Sequence, residues 1–159
     1  MRAVSDAEIL CRLSELELEL PPPPQAVAAY VPVVVSGRMA FVAGQVPMVE
    51  GHVLHPGRLG EDVTLEQGQE AARRAALQAL SALRAALGTL DRLDRILQMG
   101  VFIAATPESS DHPRVANGAS ELLVDVIGEP GSHTRAAVGV SSLPLGACVE
   151  VTMTAAVSA

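Results

Sequence analysis

Hydrophobic and polar positions follow two rhythms along this chain, and the switches between them mark its elements. Ile9, Leu10, Leu13 and Leu16 keep helical spacing, and Ser5 with Glu8 has the form of a capping box, so a short helix is predicted to about Leu16. Pro21 to Pro24 stop any helix and favour polyproline II. Val31 to Val35 and the mostly apolar Met39 to Val46 flank Ser36-Gly37-Arg38, which predicts a hairpin. A smaller hairpin follows, with Met48-Val49 and Val53-Leu54 around Glu50-Gly51-His52, and then a loop from Gly57 to Asp62. Thr64 caps a long helix, with Glu66 in its first turn, Ala72, Ala76, Leu80, Leu83 and Leu87 on one face, and Gly88 as its stop. So much alanine implies close packing against a sheet. Ile96 to Ala105 reads as a buried strand interrupted by Gly100. Asp111 caps another helix, with Pro113 tolerated in its first turn and Val115, Ala119, Leu122 and Val126 on its core face. Glu129-Pro130-Gly131 turns the chain into two final strands, Arg135 to Val140 and Ala147 to Val157.

This order predicts an α+β fold, with a mixed sheet of about six strands and two main helices on one face. Residues 1–24 read as an appendage of helix and proline-rich segment, and residues 25–159 as one α+β domain. The last strand shows what lies on the other face. Ala147, Val149, Val151, Met153 and Ala155 form an apolar row; Cys148, Glu150, Thr152, Thr154 and Ala156 form a smaller, more polar one. A half-polar face that two helices cannot cover meets solvent or another subunit.

Composition narrows the chemistry. With 49% hydrophobic residues and a mean hydropathy of +0.33, the chain can bury a core. A formal net charge of -7 and only three aromatic residues, Tyr30, Phe41 and Phe102, argue against a nucleic-acid partner. All 11 basic residues are arginine, which excludes a lysine Schiff base and a P-loop. The acidic first 20 residues and the lack of a long uncharged apolar run predict neither a signal peptide nor a membrane span. A reducing, cytoplasmic setting is the expectation, and the two distant cysteines, Cys11 and Cys148, suit it.

Most polar constellations have ordinary readings. His52-x-x-His55 lacks a third ligand at useful spacing and reads as a solvated hairpin, so no metal is expected. Ser141-Ser142 has no evident His/Asp partner, Cys148 reads as a core thiol, and Arg73, Arg74 and Arg84 read as the wet face of the long helix. Arg135 and Glu150 differ, because each interrupts a strand of small and apolar residues, and such side chains are rarely buried unpaired. They form either a cross-strand salt bridge or an arginine clamp for a substrate carboxylate with a carboxylate nearby for proton transfer. Spacing leaves both readings open.

Several runs resemble one family. Ala29-Tyr30-Val31, Ser36-Gly37-Arg38-Met39 and Ala43-Gly44-Gln45-Val46-Pro47 resemble the amino-terminal signature of the reactive intermediate deaminase (RidA or YjgF) group. Val115-Ala116-Asn117 with Glu121, Arg135-Ala136-Ala137-Val138, Leu143-Pro144 and Val149-Glu150-Val151 resemble its carboxy-terminal motifs, in the same order. The resemblance implies a chorismate-mutase-like fold in a homotrimer, with three sheets forming a central barrel and sites at the subunit clefts. It implies an enamine/imine deaminase that hydrolyses small 2-imino acids to 2-keto acids and ammonia, without metal or organic cofactor. Arg135 then matches the carboxylate-binding arginine and Glu150 the water-positioning glutamate. By the same resemblance Tyr30 matches an aromatic residue that borders the pocket, Gly44 and Ala137 match positions that contribute backbone groups, and Asn117 matches a pocket asparagine. Ala43 and Ala137 replace the family's serine and cysteine, and the amino-terminal segment is extra and resembles a longer subgroup. The alternative is a non-catalytic trimer that binds a small carboxylate metabolite in the same cleft. A ribonuclease fits the acidic charge poorly.

Overall fold

The computed structural model describes residues 4–26 and 28–159; the first three residues of the predicted amino-terminal segment lie outside it. Helix α1 spans Asp6–Glu15 and starts at the expected capping box, with the Ser5 hydroxyl accepting from the Glu8 amide at 3.2 Å. The predicted face is uneven: Ile9 and Leu13 are buried while Leu16, just past the helix, is exposed. Strands β1 (Val33–Ser36) and β2 (Met39–Gln45) form the first hairpin. Gly37 occupies its turn with φ +58°, a left-handed conformation that a side chain would strain. Strands β3 (Met48–Val49) and β4 (His52–Val53) form the small hairpin. Helix α2 covers Leu65–Leu87, from a Thr64/Gln67 capping box to a left-handed Gly88. Strand β5 (Leu93–Ala104), helix α3 (His112–Ile127), strand β6 (Thr134–Val140) and strand β7 (Val149–Val157) complete the order.

The main sheet has five strands in the order β1-β2-β7-β5-β6, and β3 and β4 form a separate two-stranded ribbon. The expectation of about six strands in one sheet is therefore corrected to seven strands in two sheets. Two-residue strands bound to a tight turn carry too few ladder bonds to extend the main sheet. All main-sheet pairs are antiparallel except β5 with β6, which α3 connects.

Helices α2 and α3 cover the same face. Ala71, Ala72, Ala75, Ala76 and Ala79 of α2 are fully buried, and their small side chains let the helix approach the sheet closely. Gly118 does the same between the helices, because a Cβ there would overlap the backbone of Gln69. The other face is uncovered. Met39, Phe41 and Val138 are exposed on it, and Thr152 and Thr154 are half-buried. Along β7 the predicted alternation holds from Val149 to Val157, but it does not extend to Cys148. That residue precedes the strand, turns inward and is buried in the core, where burial pushes its thiol up to about 11.

Helix α1 packs on α3 and joins the same core through Ile9 and Leu13. Asp6 locks it in place: both carboxylate oxygens accept from Arg84, at 2.7 and 2.9 Å, and Oδ1 also accepts from the Leu90 amide. This corrects the reading of the α2 arginines as a solvated face. Arg84 holds α1, Arg74 is half-buried and donates to the Met48 carbonyl at 2.6 Å, and Arg73 is exposed. The cap at Asp111 differs too, because its carboxylate accepts from Arg114 at 3.2 Å rather than from the helix backbone. Among the described residues no helix is long and apolar enough to cross a membrane.

Candidate active site

Arg135 lies near the start of β6, opposite Met99 of β5, on the helix-covered side of the sheet. Its Nη1 donates to Asn117 Oδ1 at 2.9 Å and to Ser120 Oγ at 3.1 Å, and its Nη2 donates to the Pro113 carbonyl at 3.3 Å. All three acceptors are uncharged and belong to α3. Among the described residues no carboxylate pairs with Arg135, so its guanidinium is oriented without being neutralised. Ala137, two residues on, faces the same way and packs half-buried against the core.

Behind Arg135 runs a chain of hydrogen bonds that sequence reasoning missed. His133 Nδ1 lies 2.6 Å from the Gly131 carbonyl, and its Nε2 lies 2.9 Å from Ser120 Oγ. A carbonyl only accepts, so Nδ1 carries the proton; in the neutral ring Nε2 then accepts from the Ser120 hydroxyl. The serine oxygen is thereby turned toward Arg135. The sequence signal was slight: Ser120 lies three residues from Asn117, on the same side of α3.

Glu150 occupies β7 opposite Phe102 of β5, on the uncovered face. The pairing of β2 with β7 slips between Val42 and Gln45, so Ala43 and Gly44 form a bulge beside this part of β7. The Glu150 carboxylate rests against the bulge. A Cβ on Gly44 would lie 2.8 Å from Glu150 Cδ and 3.2 Å from Cγ, so the glycine leaves the carboxylate this place and any side chain here would push it aside. The carboxylate has no hydrogen-bond or ion-pair partner among the described residues, and partial burial raises its pKa above the ordinary glutamate range. Tyr30 is about half exposed and lines a cavity with Gly44.

The six predicted residues thus fall into two groups. Arg135, Asn117 and Ala137 lie together on one face, and Glu150, Gly44 and Tyr30 lie together elsewhere. Arg135 and Glu150 sit on opposite faces with β5 between their strands, so the cross-strand salt bridge allowed by the sequence does not form. Alternation decides this: Arg135 is in register with buried Met99, whereas Glu150 is in register with Phe102, which points the other way. In the small hairpin, His55 reaches Glu70 at 2.6 Å instead of joining exposed His52. Among the described residues no group of three or more His, Cys, Asp or Glu side chains could hold a metal.

A mixed sheet with two helices on one face can be compared with known proteins as a whole fold. The profile described as "YjgF/chorismate_mutase-like, putative endoribonuclease" matches residues 10–157, and the chain belongs to that family. Protein TCP17 of Trypanosoma cruzi is 41% identical over 152 residues, covering 95% of both chains. The crystal structure of Atu1372 from Agrobacterium tumefaciens, whose function is unknown, superposes with a TM-score of 0.91 at 40% identity, over 96% of this chain and 94% of that one. A "putative endoribonuclease" from Shewanella oneidensis superposes with a TM-score of 0.90 at 32% identity, over 93% of this chain and 98% of that one.

Proposed function

We propose that this protein is an enamine/imine deaminase that hydrolyses small 2-imino acids to 2-keto acids and ammonia, in clefts between the subunits of a homotrimer. The observation that carries the proposal is the state of Arg135. Three uncharged acceptors aim its guanidinium and leave its charge for an incoming anion, and a guanidinium fork suits a carboxylate. Glu150 supports the same reading as an unpaired carboxylate with a raised pKa, suited to exchanging protons with water. Because the two groups occupy opposite faces of one chain, a site using both takes Arg135, Asn117 and Ala137 from one copy and Glu150, Gly44 and Tyr30 from the next. The exposed Met39, Phe41 and Val138 give the uncovered face an apolar surface for such an assembly.

In the proposed reaction Arg135 holds the substrate carboxylate. Glu150 takes a proton from water as the oxygen attacks the protonated imine carbon, giving a carbinolamine. Glu150 returns the proton to nitrogen; the C–N bond then breaks with its electron pair leaving on ammonia, an oxygen lone pair forms the C=O bond, and Glu150 accepts the hydroxyl proton and passes it to solvent or to the departing ammonia. No covalent intermediate with the protein is needed. General acid–base assistance of this kind contributes about 10²–10⁴-fold. The test is a coupled assay, in which an amino-acid oxidase generates the imine and its decay is followed with and without the protein. No acceleration across alanine-, serine- and leucine-derived imines would refute the deaminase. If 2-oxobutanoate still bound, the alternative of a non-catalytic carboxylate-binding protein would stand.

A further inference from the structure

The cavity lined by Tyr30 and Gly44 contains a feature that the deamination chemistry does not use. Gln78 lies in the middle of α2, between Leu77 and Ala79 and one turn from Ala75 and Ala82, all of them buried. Spacing demands an apolar residue there. The glutamine is itself only 7% exposed, and its amide makes no hydrogen bond among the described residues. Arg58 Nε is the only fully enclosed side-chain nitrogen or oxygen without a partner among the described residues. Both polar atoms of Gln78 therefore keep some accessible surface, and the cavity that Gln78 lines is where that surface lies. Gln45, 6% exposed, lines the same cavity; its Nε2 donates to the Ala43 carbonyl at 3.0 Å, and its Oε1 has no partner among the described residues.

A buried amide without a partner destabilises a fold, so a sequence that retains one in an alanine-rich helix gains something by it. The cavity measures about 170 Å³, room for a group of about five heavy atoms. No charged side chain lines it among the described residues, and Pro32, Val46 and Met48 supply apolar walls. An ion would enter without a counter-charge, and a hydrocarbon would leave the amide unsatisfied. The natural complement of an amide is another amide, which answers its N–H and its C=O together through two antiparallel hydrogen bonds.

We infer that this cavity is a subsite for an uncharged carboxamide, with Gln78 as the residue that reads it. The assignment rests on the proposed deaminase only in making that carboxamide the end of the substrate's side chain. Gly44 joins the two places, because it lines the cavity and also seats the Glu150 carboxylate. The substrate class is then a 2-imino acid with a carboxamide-ended side chain.

Propionamide tests the subsite without the rest of the substrate, since it has no carboxylate for Arg135. Titrated into the ¹⁵N-labelled protein, it should shift the side-chain NH₂ signals of Gln78 and Gln45 saturably, and Gln78→Met, a near-isosteric change that keeps the helix, should weaken binding at least tenfold. No saturable shift of these signals, or equal binding by the variant, overturns the subsite. The link to substrate is tested with two carboxylates of matched length, 5-amino-5-oxopentanoate and 5-methylhexanoate, which carry no ketone for the amide to cyclise on. The amide should bind the parent protein about tenfold tighter, and equal affinities overturn the substrate assignment. If neither carboxylate binds while propionamide does, the deaminase reading fails and the carboxamide subsite stands.

Discussion

Replacing Gly44 with alanine separates the placement of the Glu150 carboxylate from the stability of the fold. The new methyl would lie 2.8 Å from Glu150 Cδ, against an ordinary carbon–carbon contact of about 3.5–4.0 Å, so the carboxyl end must retreat by about 1 Å. Gly44 does not occupy the left-handed region, so alanine brings no backbone strain. Forcing the glutamate off its rotamer costs about 0.5–1.5 kcal/mol. Alanine in place of glycine within a strand recovers about 0.5–1 kcal/mol. The two nearly cancel, and Tm should stay within about 4 °C of the parent. Turnover should not survive so well, because misplacing a reacting group by about 1 Å costs about 100-fold. The coupled imine assay and a thermal scan on the same preparation measure both quantities. Turnover within twofold of the parent, in a variant whose structure shows the carboxylate displaced, would refute the role given to Glu150.

Other perturbations probe the remaining parts. Arg135→Ala should abolish 2-oxobutanoate binding in calorimetry, and parent-like affinity would show that Arg135 is not the carboxylate clamp. Glu150→Gln should change how stability depends on pH. Burial raises the folded carboxyl's pKa, so between the ordinary 4.5 and the raised value the native state binds the extra proton and the parent loses stability as pH rises. The glutamine variant should therefore match the parent in acid and exceed its Tm at neutral pH; a constant difference across the titration contradicts this. Asp6→Asn should cost about 1 kcal/mol at neutral pH, a modest figure because Arg84 is 42% exposed. The hydrogen bond from Arg84 lowers the Asp6 pKa below 3.8, so the advantage of the parent is present above that value and disappears as acid protonates Asp6. Denaturant melts at neutral and low pH read the difference, and one that persists in acid would be unrelated to the carboxylate.

Local signals in the sequence were reliable where the backbone itself imposed them. Ser5 and Thr64 start helices because their hydroxyls satisfy amides that nothing else can, and Gly88 ends one because it accepts positive φ. Pairing is not local. Nothing in the residues around Arg135 or Glu150 says that β5 separates their strands, and face parity becomes known only when register is known. The pattern of the sequence singles out Arg135 and Glu150, but it does not place them on opposite faces. Gln78 carries no charge to mark it, although a lone amide at a core position of α2 is the same kind of anomaly as a charged residue in an apolar strand. Cys148 is the core thiol its apolar surroundings imply, but it does not share the half-polar face, because it stands one residue before β7, where the alternation begins.

The division of Arg135 and Glu150 between opposite faces of a single sheet bears on how damaged copies behave in a mixture. In the proposed assembly, a chain lacking the arginine still offers its neighbour an intact glutamate, and a chain lacking the glutamate still offers an intact arginine. Two inactive variants, unfolded together and reassembled in equal amounts, would rebuild both halves at about one cleft in four, by chance pairing in a head-to-tail ring. Were both groups needed from one chain, the mixture would stay inactive. In the proposed assembly, interallelic complementation follows from the strand order.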